Sequence, residues 1–179
     1  IFVLLLYKTL KKEIIEKIPS EEKIVCVYAS LVTEHSVVLD LIKKLKEIQK
    51  TVIVIENTQQ VFAYSLLEVF PDLIKAGADY VVNGESEERL DDIKKNLGQE
   101  LAIDGVIYKI NGELKINPKK NFITNLDELP FPAFELFPLK NYWDLGYSHG
   151  PFTGPFLPVL TSRGCPYNCA FCVVPATNN

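Results

Sequence analysis

Short apolar runs that alternate with amphipathic helical segments predict an α/β fold, a parallel sheet with flanking helices. An Asn-Gly pair at positions 111 and 112 marks a hairpin beyond the last helical pattern. A stretch dense in proline and aromatics then separates this region from a cysteine-bearing C-terminal loop. The order is therefore a sheet domain over residues 1–116, a connector over 117–158, and the start of a second domain over 159–179.

Ile1 to Leu6 is apolar enough for a strand and far too short for a membrane span. Lys8 to Ile18 has a helical pattern that runs into a turn at Pro19-Ser20. Ile24 to Ala29 is a buried strand, with Cys26 inside it as a small hydrophobe. Val37, Val38, Leu41, Ile42, Leu45 and Ile48 share one helical face opposite Lys43, Lys44, Lys46 and Glu47, and Thr33 is placed to cap that helix. Val52 to Ile55 is the next strand. A helix is expected from Gln60 to Phe70, interrupted by Pro71-Asp72 and ended by Gly77. Tyr80 to Val82 is a third parallel strand after the opening run, and Leu90, Ile93 and Leu97 mark one more helix. Val106 to Ile110 and Glu113 to Ile116 form the hairpin.

Prolines 130, 132, 138, 151, 155 and 158 deny the connector long helices and central strands. Its Leu129, Phe131, Phe134, Leu136, Phe137 and Trp143 argue for a segment laid on a surface. Val159 and Leu160 open a strand, followed by the cysteine loop.

With 179 residues, 47% hydrophobic content and a net charge of -4, the chain can bury one good core and offers no basic surface for nucleic acid. Four cysteines without a signal-peptide pattern point to a reducing, cytoplasmic setting, and no run is long enough to span a bilayer. No methionine occurs, so the sequence reads as a piece of something longer.

Function is concentrated in Cys165, Cys169 and Cys172, within Thr161-Ser-Arg-Gly-Cys-Pro-Tyr-Asn-Cys-Ala-Phe-Cys172. Thiolates separated by three and then two residues can converge on one soft metal centre, and Gly164 and Pro166 favour a loop around it. A structural zinc site closes its tetrahedron with four protein ligands, but the fourth is missing here; His149 is sixteen residues before Cys165. The donor set leaves one coordination position open.

This loop, with Phe171 before the last cysteine and with Ser162-Arg163-Gly164 and Pro166-Tyr167-Asn168 around it, resembles the cluster loop of radical S-adenosylmethionine enzymes. The chain as a whole resembles the N-terminal portion of the cobalamin-binding class of that family. The resemblance rests further on Leu126-Asp-Glu-Leu-Pro-Phe-Pro132 with Tyr142-Trp143, and on Ala78-Asp-Tyr-Val-Val-Asn-Gly-Glu85. It implies a Rossmann-like cobalamin-binding domain followed by a radical S-adenosylmethionine barrel, of which only the first strand and the cluster loop are present. It implies a 4Fe-4S cluster on the three cysteines, S-adenosylmethionine on the open iron with Phe171 near its adenine, and reductive cleavage to a 5'-deoxyadenosyl radical. A reductant such as flavodoxin or ferredoxin, a small-molecule or peptide substrate, and methylation or rearrangement at an unactivated carbon follow from the same resemblance. No catalytic side chain is assigned, and the fragment alone is expected to be inactive.

Ligands of an open parallel sheet sit beyond the carboxyl ends of the strands, so the corrin contacts are expected among Ser30, Thr33, Glu56, Asn57, Thr58, Asn83, Gly84 and Glu85. Thr33 and Ser86 serve equally well as helix caps. The chain departs from the family in two places. His35 lacks the Asp-x-His-x-x-Gly setting of an axial histidine, and Glu56-Asn57-Thr58 stands where a glycine pair is common. The alternatives are a methylthiotransferase-like enzyme, a first domain that only binds a partner, and an electron-transfer protein, which would close its cluster with four cysteines.

Overall fold

Six strands, β1 (Phe2–Leu5), β2 (Ile24–Ala29), β3 (Thr51–Glu56), β4 (Tyr80–Val82), β5 (Val106–Ile110) and β6 (Glu113–Ile116), lie side by side in chain order. The first four run parallel, and β5 and β6 complete the sheet antiparallel. This is the α/β, Rossmann-like arrangement of a mostly parallel sheet with flanking helices. The computed structural model describes residues 2–5, 15–29, 32–56, 65–144, 154–157, 159, 162–172 and 174. The chain divides into two compact units, Ile1–Ile123 with Gly164–Asn179, and Thr124–Arg163.

Parallel strands covered on both faces read as continuous apolar runs, and β2, β3 and β4 do so. Helices α1 (His35–Glu47) and α2 (Leu66–Ala76) cover one face, where Val38, Leu41, Ile42, Leu45, Leu66 and Leu73 meet Val25, Val27, Val52, Val54 and Val81. Two right-handed crossovers that advance in the same direction place their helices on the same face. Helix α3 (Glu87–Lys95) leads into antiparallel β5 and escapes that rule. Its Ile93 packs on the other face with Cys26, Ile53, Val82, Val106 and Tyr108. Each such aliphatic side chain contributes about 1.5–3 kcal/mol by leaving water.

The amino ends of the strands are pinned by charge. The buried Lys50 ammonium donates to the carbonyls of Pro19 (3.4 Å), Ser20 (3.2 Å) and Glu22 (2.6 Å). Lys46 pairs with Asp79 at 2.7 Å, and the same carboxylate accepts from the Val52 N–H at 2.8 Å. At the hairpin, Asn111 (φ 52°) and Gly112 (φ 83°) take the positive φ values that a two-residue turn between twisted strands demands.

Several local expectations change. Thr33 lies in a 3-10 turn (Val32–Glu34), and α1 is preceded by Glu34 with no side-chain cap, so Thr33 does not cap it. Ser86 sits at the cap position of α3 but makes no capping hydrogen bond. Pro71 does not interrupt α2, which runs through it. The Ser65 hydroxyl caps that helix on the Leu67 N–H, and burial of Leu66, Leu73 and Ile74 outweighs the lost backbone bond. The part of the expected helix between Gln60 and Tyr64, and most of Lys8 to Ile18, lie outside the described residues. Ile48 and Leu97 follow their helices and are exposed.

Among its described residues, the second unit contains two 3-10 turns, Leu126–Glu128 and Phe134–Leu136, and helix α4 (Leu139–Asp144). The Asn125 side chain caps the first turn on the Asp127 N–H, and the Trp143 indole donates to the Phe156 carbonyl at 2.8 Å. Phe131 is 95% exposed and Leu136 79%, whereas Leu129, Phe134 and Trp143 are half-buried. Val159 is exposed and outside any strand, and Leu160 lies outside the described residues. A lone strand without a partner gains no ladder hydrogen bonds.

Candidate functional site

The carboxyl ends of β2, β3 and β4 meet the starts of α1, α2 and α3 along one edge, which is the ligand edge of an open parallel sheet. Glu56, the last residue of β3, is buried there. Its carboxylate accepts from the Leu66 N–H (2.9 Å) at the start of α2 and from the Gly84 N–H (2.5 Å) after β4. Burial pushes its carboxyl above the usual glutamate range, opposed by those two backbone bonds and by the charges of Lys119 and Arg89. Asn83 is also buried, and its Oδ1 has no hydrogen-bond partner among the described residues. A buried acceptor left unpaired costs about 1–3 kcal/mol unless something donates to it.

Beside Glu56 lies a network that sequence reading missed. Arg89 of α3 is buried. Its Nε donates to the Asp104 carbonyl (2.6 Å), its Nη2 to the Asp104 carboxylate (2.6 Å) and the Asn121 carbonyl (3.1 Å), and its Nη1 to the Glu85 carbonyl. Burial works against the charge of Asp104, but the Arg89 guanidinium and the N–H groups of Asn121 and Lys120 hold its carboxyl below the ordinary value. Glu85 accepts from the Ile123 N–H at 2.7 Å. These bonds clamp residues 120–123 to the start of α3 and to the loop before β5. Burial lowers the Lys119 ammonium, against the pull of Glu56, Glu85 and Asp104. A cleft of about 250 Å³ borders Arg89, Asp104, Glu85 and Phe122. Nothing in a linear reading pairs Arg89 with Asp104, fifteen positions apart across a helix and a loop.

The cysteine loop runs through Gly164, which has a φ of 83°. The Cys172 N–H donates to the Cys169 carbonyl at 3.0 Å, turning the chain between the last two thiols. Cys165 and Cys172 are half-buried, Cys169 is exposed, and all three are free thiols. The three thiols are soft donors carried on one turning loop. No group of three or more His, Cys, Asp or Glu side chains among the described residues is arranged to hold a metal ion. Phe171, in the same turn, is 76% exposed. Cys26 is different: buried in β2, with its thiol pushed up to about 12 by burial, it is an inert core residue.

Of the residues expected to contact a corrin, Glu56, Asn83, Gly84 and Glu85 come together at the carboxyl edge; the Glu56 and Glu85 carboxylates accept from backbone N–H groups, the Gly84 N–H donates to Glu56 and the Asn83 N–H to the Gly105 carbonyl. Thr33 is exposed before α1. Ser30, Asn57 and Thr58 lie outside the described residues.

No family model matches the chain. A protein of Pyrococcus horikoshii named as an uncharacterized methyltransferase is 42% identical to it over 99 residues, 52% of this chain and 20% of that protein. The chain thus spans about a fifth of that relative's length. No helix among the described residues is long and apolar enough to cross a membrane.

Proposed function

We propose that this chain is the front portion of a radical S-adenosylmethionine methyltransferase. The observation that carries the reading is the loop of three free thiols, Cys165, Cys169 and Cys172, with no fourth ligand in its spacing. The relative named as a methyltransferase supports the direction of the chemistry. Cys165, Cys169 and Cys172 would hold a 4Fe-4S cluster, which when bound would supply the electron for reductive cleavage of S-adenosylmethionine. Phe171, exposed beside Cys172, is free to stack on the adenine. Gly164 gives the loop the left-handed turn that precedes Cys165.

Cobalamin is the second cofactor in this reading, and when bound it supplies a carrier for the methyl group. Asn83 is the residue best suited to hold it, because its buried, unpartnered Oδ1 can accept from a corrin amide. Thr33 and, beyond the described residues, Ser30, Asn57 and Thr58 complete the proposed contacts, while Glu56, Gly84 and Glu85 shape the edge from within. The substrate is a small molecule or peptide with an unactivated carbon, and a flavodoxin or ferredoxin reduces the cluster in a reducing, cytoplasmic compartment. A second reading, a first domain that carries no corrin, is favoured by the engagement of Glu56 with Leu66 and Gly84.

The test is anaerobic reconstitution of the full-length protein with iron and sulfide. The reduced centre is expected to change its electron paramagnetic resonance signal on addition of S-adenosylmethionine, and alanine at Cys165, Cys169 or Cys172 is expected to abolish iron retention. A signal indifferent to S-adenosylmethionine refutes the open iron. Hydroxocobalamin retained through gel filtration, and lost in Asn83→Leu, supports the corrin contact; absence of retention selects the second reading.

A further inference from the structure

The start of a helix is a natural site for a phosphate, because its first N–H groups lack partners and the helix dipole favours negative charge. At the carboxyl edge this opportunity is already taken. The Leu66 N–H of α2 donates to Glu56, the Leu67 N–H to the Ser65 hydroxyl, and the Glu68 N–H to the Ser65 carbonyl. The Gly84 N–H, the neighbouring backbone donor on the β4 side, also goes to Glu56. The other two helix starts on this edge carry their own acids: Glu34 precedes α1, and Glu85, Glu87 and Glu88 lie at the start of α3. The cations at hand are committed too. Every nitrogen of the Arg89 guanidinium is bonded to Asp104, Glu85 or Asn121, and Lys119 faces Glu56, Glu85 and Asp104.

We propose that Glu56 is an internal counter-anion: it fills the donor cradle formed by the Leu66 and Gly84 amides and closes that cradle to phosphate groups. Its carboxylate sits where the oxygens of a phosphate would otherwise bind, and the surrounding acids repel a second anion. Glu56 is therefore a specificity-determining residue that keeps a phosphate out of the Leu66–Gly84 cradle, so that any ligand of this edge, a corrin with its nucleotide phosphate included, must place its anionic group elsewhere. The inference goes beyond the cofactor reading above and stands on the sheet geometry alone, so it holds or fails independently of the cluster loop.

The experiment compares thermal unfolding of the full chain in inorganic phosphate with unfolding in chloride of matched ionic strength, for the native protein, Glu56→Ala and Glu56→Asp. Glu56→Ala is expected to melt below the native protein in chloride and to recover about 2–4 °C in phosphate, as the free anion enters the vacated cradle. The native protein and Glu56→Asp, which keeps a carboxylate, are expected to show no such gain. Equal phosphate effects in the native protein and in Glu56→Ala overturn the proposal, as does a folded Glu56→Ala that phosphate leaves unchanged. If Glu56→Ala does not fold, amide nuclear magnetic resonance of the native protein decides. Leu66 and Gly84 resonances that stay in place as phosphate is added support the closed cradle, and saturable shifts at both overturn it.

Discussion

Gly105 shows how a single position can hold the ligand edge together. It has a φ of 71°, and a Cβ added there would stand 2.6 Å from the Asn83 carbonyl oxygen. Its own carbonyl accepts from the Asn83 N–H at 2.9 Å, so the close approach ties β5 to the end of β4. Gly105→Ala is expected to cost about 1–3 kcal/mol from backbone strain alone, with the clash added, and to lower the urea midpoint accordingly. Glu56 gives a pH signature. Burial raises its carboxyl above the unfolded value of about 4.3, so the folded state holds the proton more tightly. Stability contributed by this group is present below that value and is lost as pH rises through the folded one. Asp104 has the opposite sign: burial opposes its charge but Arg89 and two backbone amides hold it low, so its contribution is present above about 3.9 and is lost on acidification. Urea midpoints measured from pH 3 to 8 should show Glu56→Gln losing the decline with rising pH and Asp104→Asn losing the acid-side decline. Slopes unchanged from the native protein would refute both assignments.

At the scale of elements, α2 is the informative case. Pro71 has no N–H for the Leu67 carbonyl, yet the helix continues to Ala76 and closes at Gly77, whose φ of 112° suits a left-handed cap. Leu67 is exposed, so water can reach the carbonyl that the proline leaves unpaired. The apolar face, Leu66, Leu73 and Ile74, holds the helix on the sheet regardless. Pro71→Ala is expected to stabilise the protein by about 1–2 kcal/mol, because the helix-interior penalty of proline exceeds the chain entropy it removes from the unfolded state. A lowered melting temperature for this variant would show that α2 depends on the proline for its geometry. Ser65 keeps the start of the same helix in place, and with Glu56 it accounts for the first three backbone donors.

For the molecule as a whole, the two units differ in how they protect their backbone. The sheet buries β2, β3 and β4 between two apolar layers, whereas the described residues of the Thr124–Arg163 unit hold their turns with a few local bonds and expose Phe131 and Leu136. Limited chymotrypsin digestion is expected to cut this unit first, after Phe134 or Leu136, since Pro132 and Pro138 shield the bonds after Phe131 and Phe137. Mass spectrometry of the early fragments checks this, and first cuts inside β2 or β3 would contradict it. The cysteine loop belongs to a different level of description. Its three cysteines are free thiols, and the spacing that motivates the proposed cluster is local to the sequence.

Much of this protein is determined by the order of its residues. β2 and β4 fall where apolar, β-branched runs end at turn residues, because a strand buried on both faces needs such a run and little else, whereas β5 and the exposed β6 are set by the turn that joins them. The cluster-type spacing and the hairpin at Asn111-Gly112 are equally local. Thr33, Pro71, Glu56 and Arg89 are different. Their roles depend on what lies across the sheet edge, on donors that only folding brings within 3 Å, and on burial that changes what a carboxylate or a guanidinium costs. Periodicity records which face a residue turns inward; it carries no information about which distant backbone group will be waiting there.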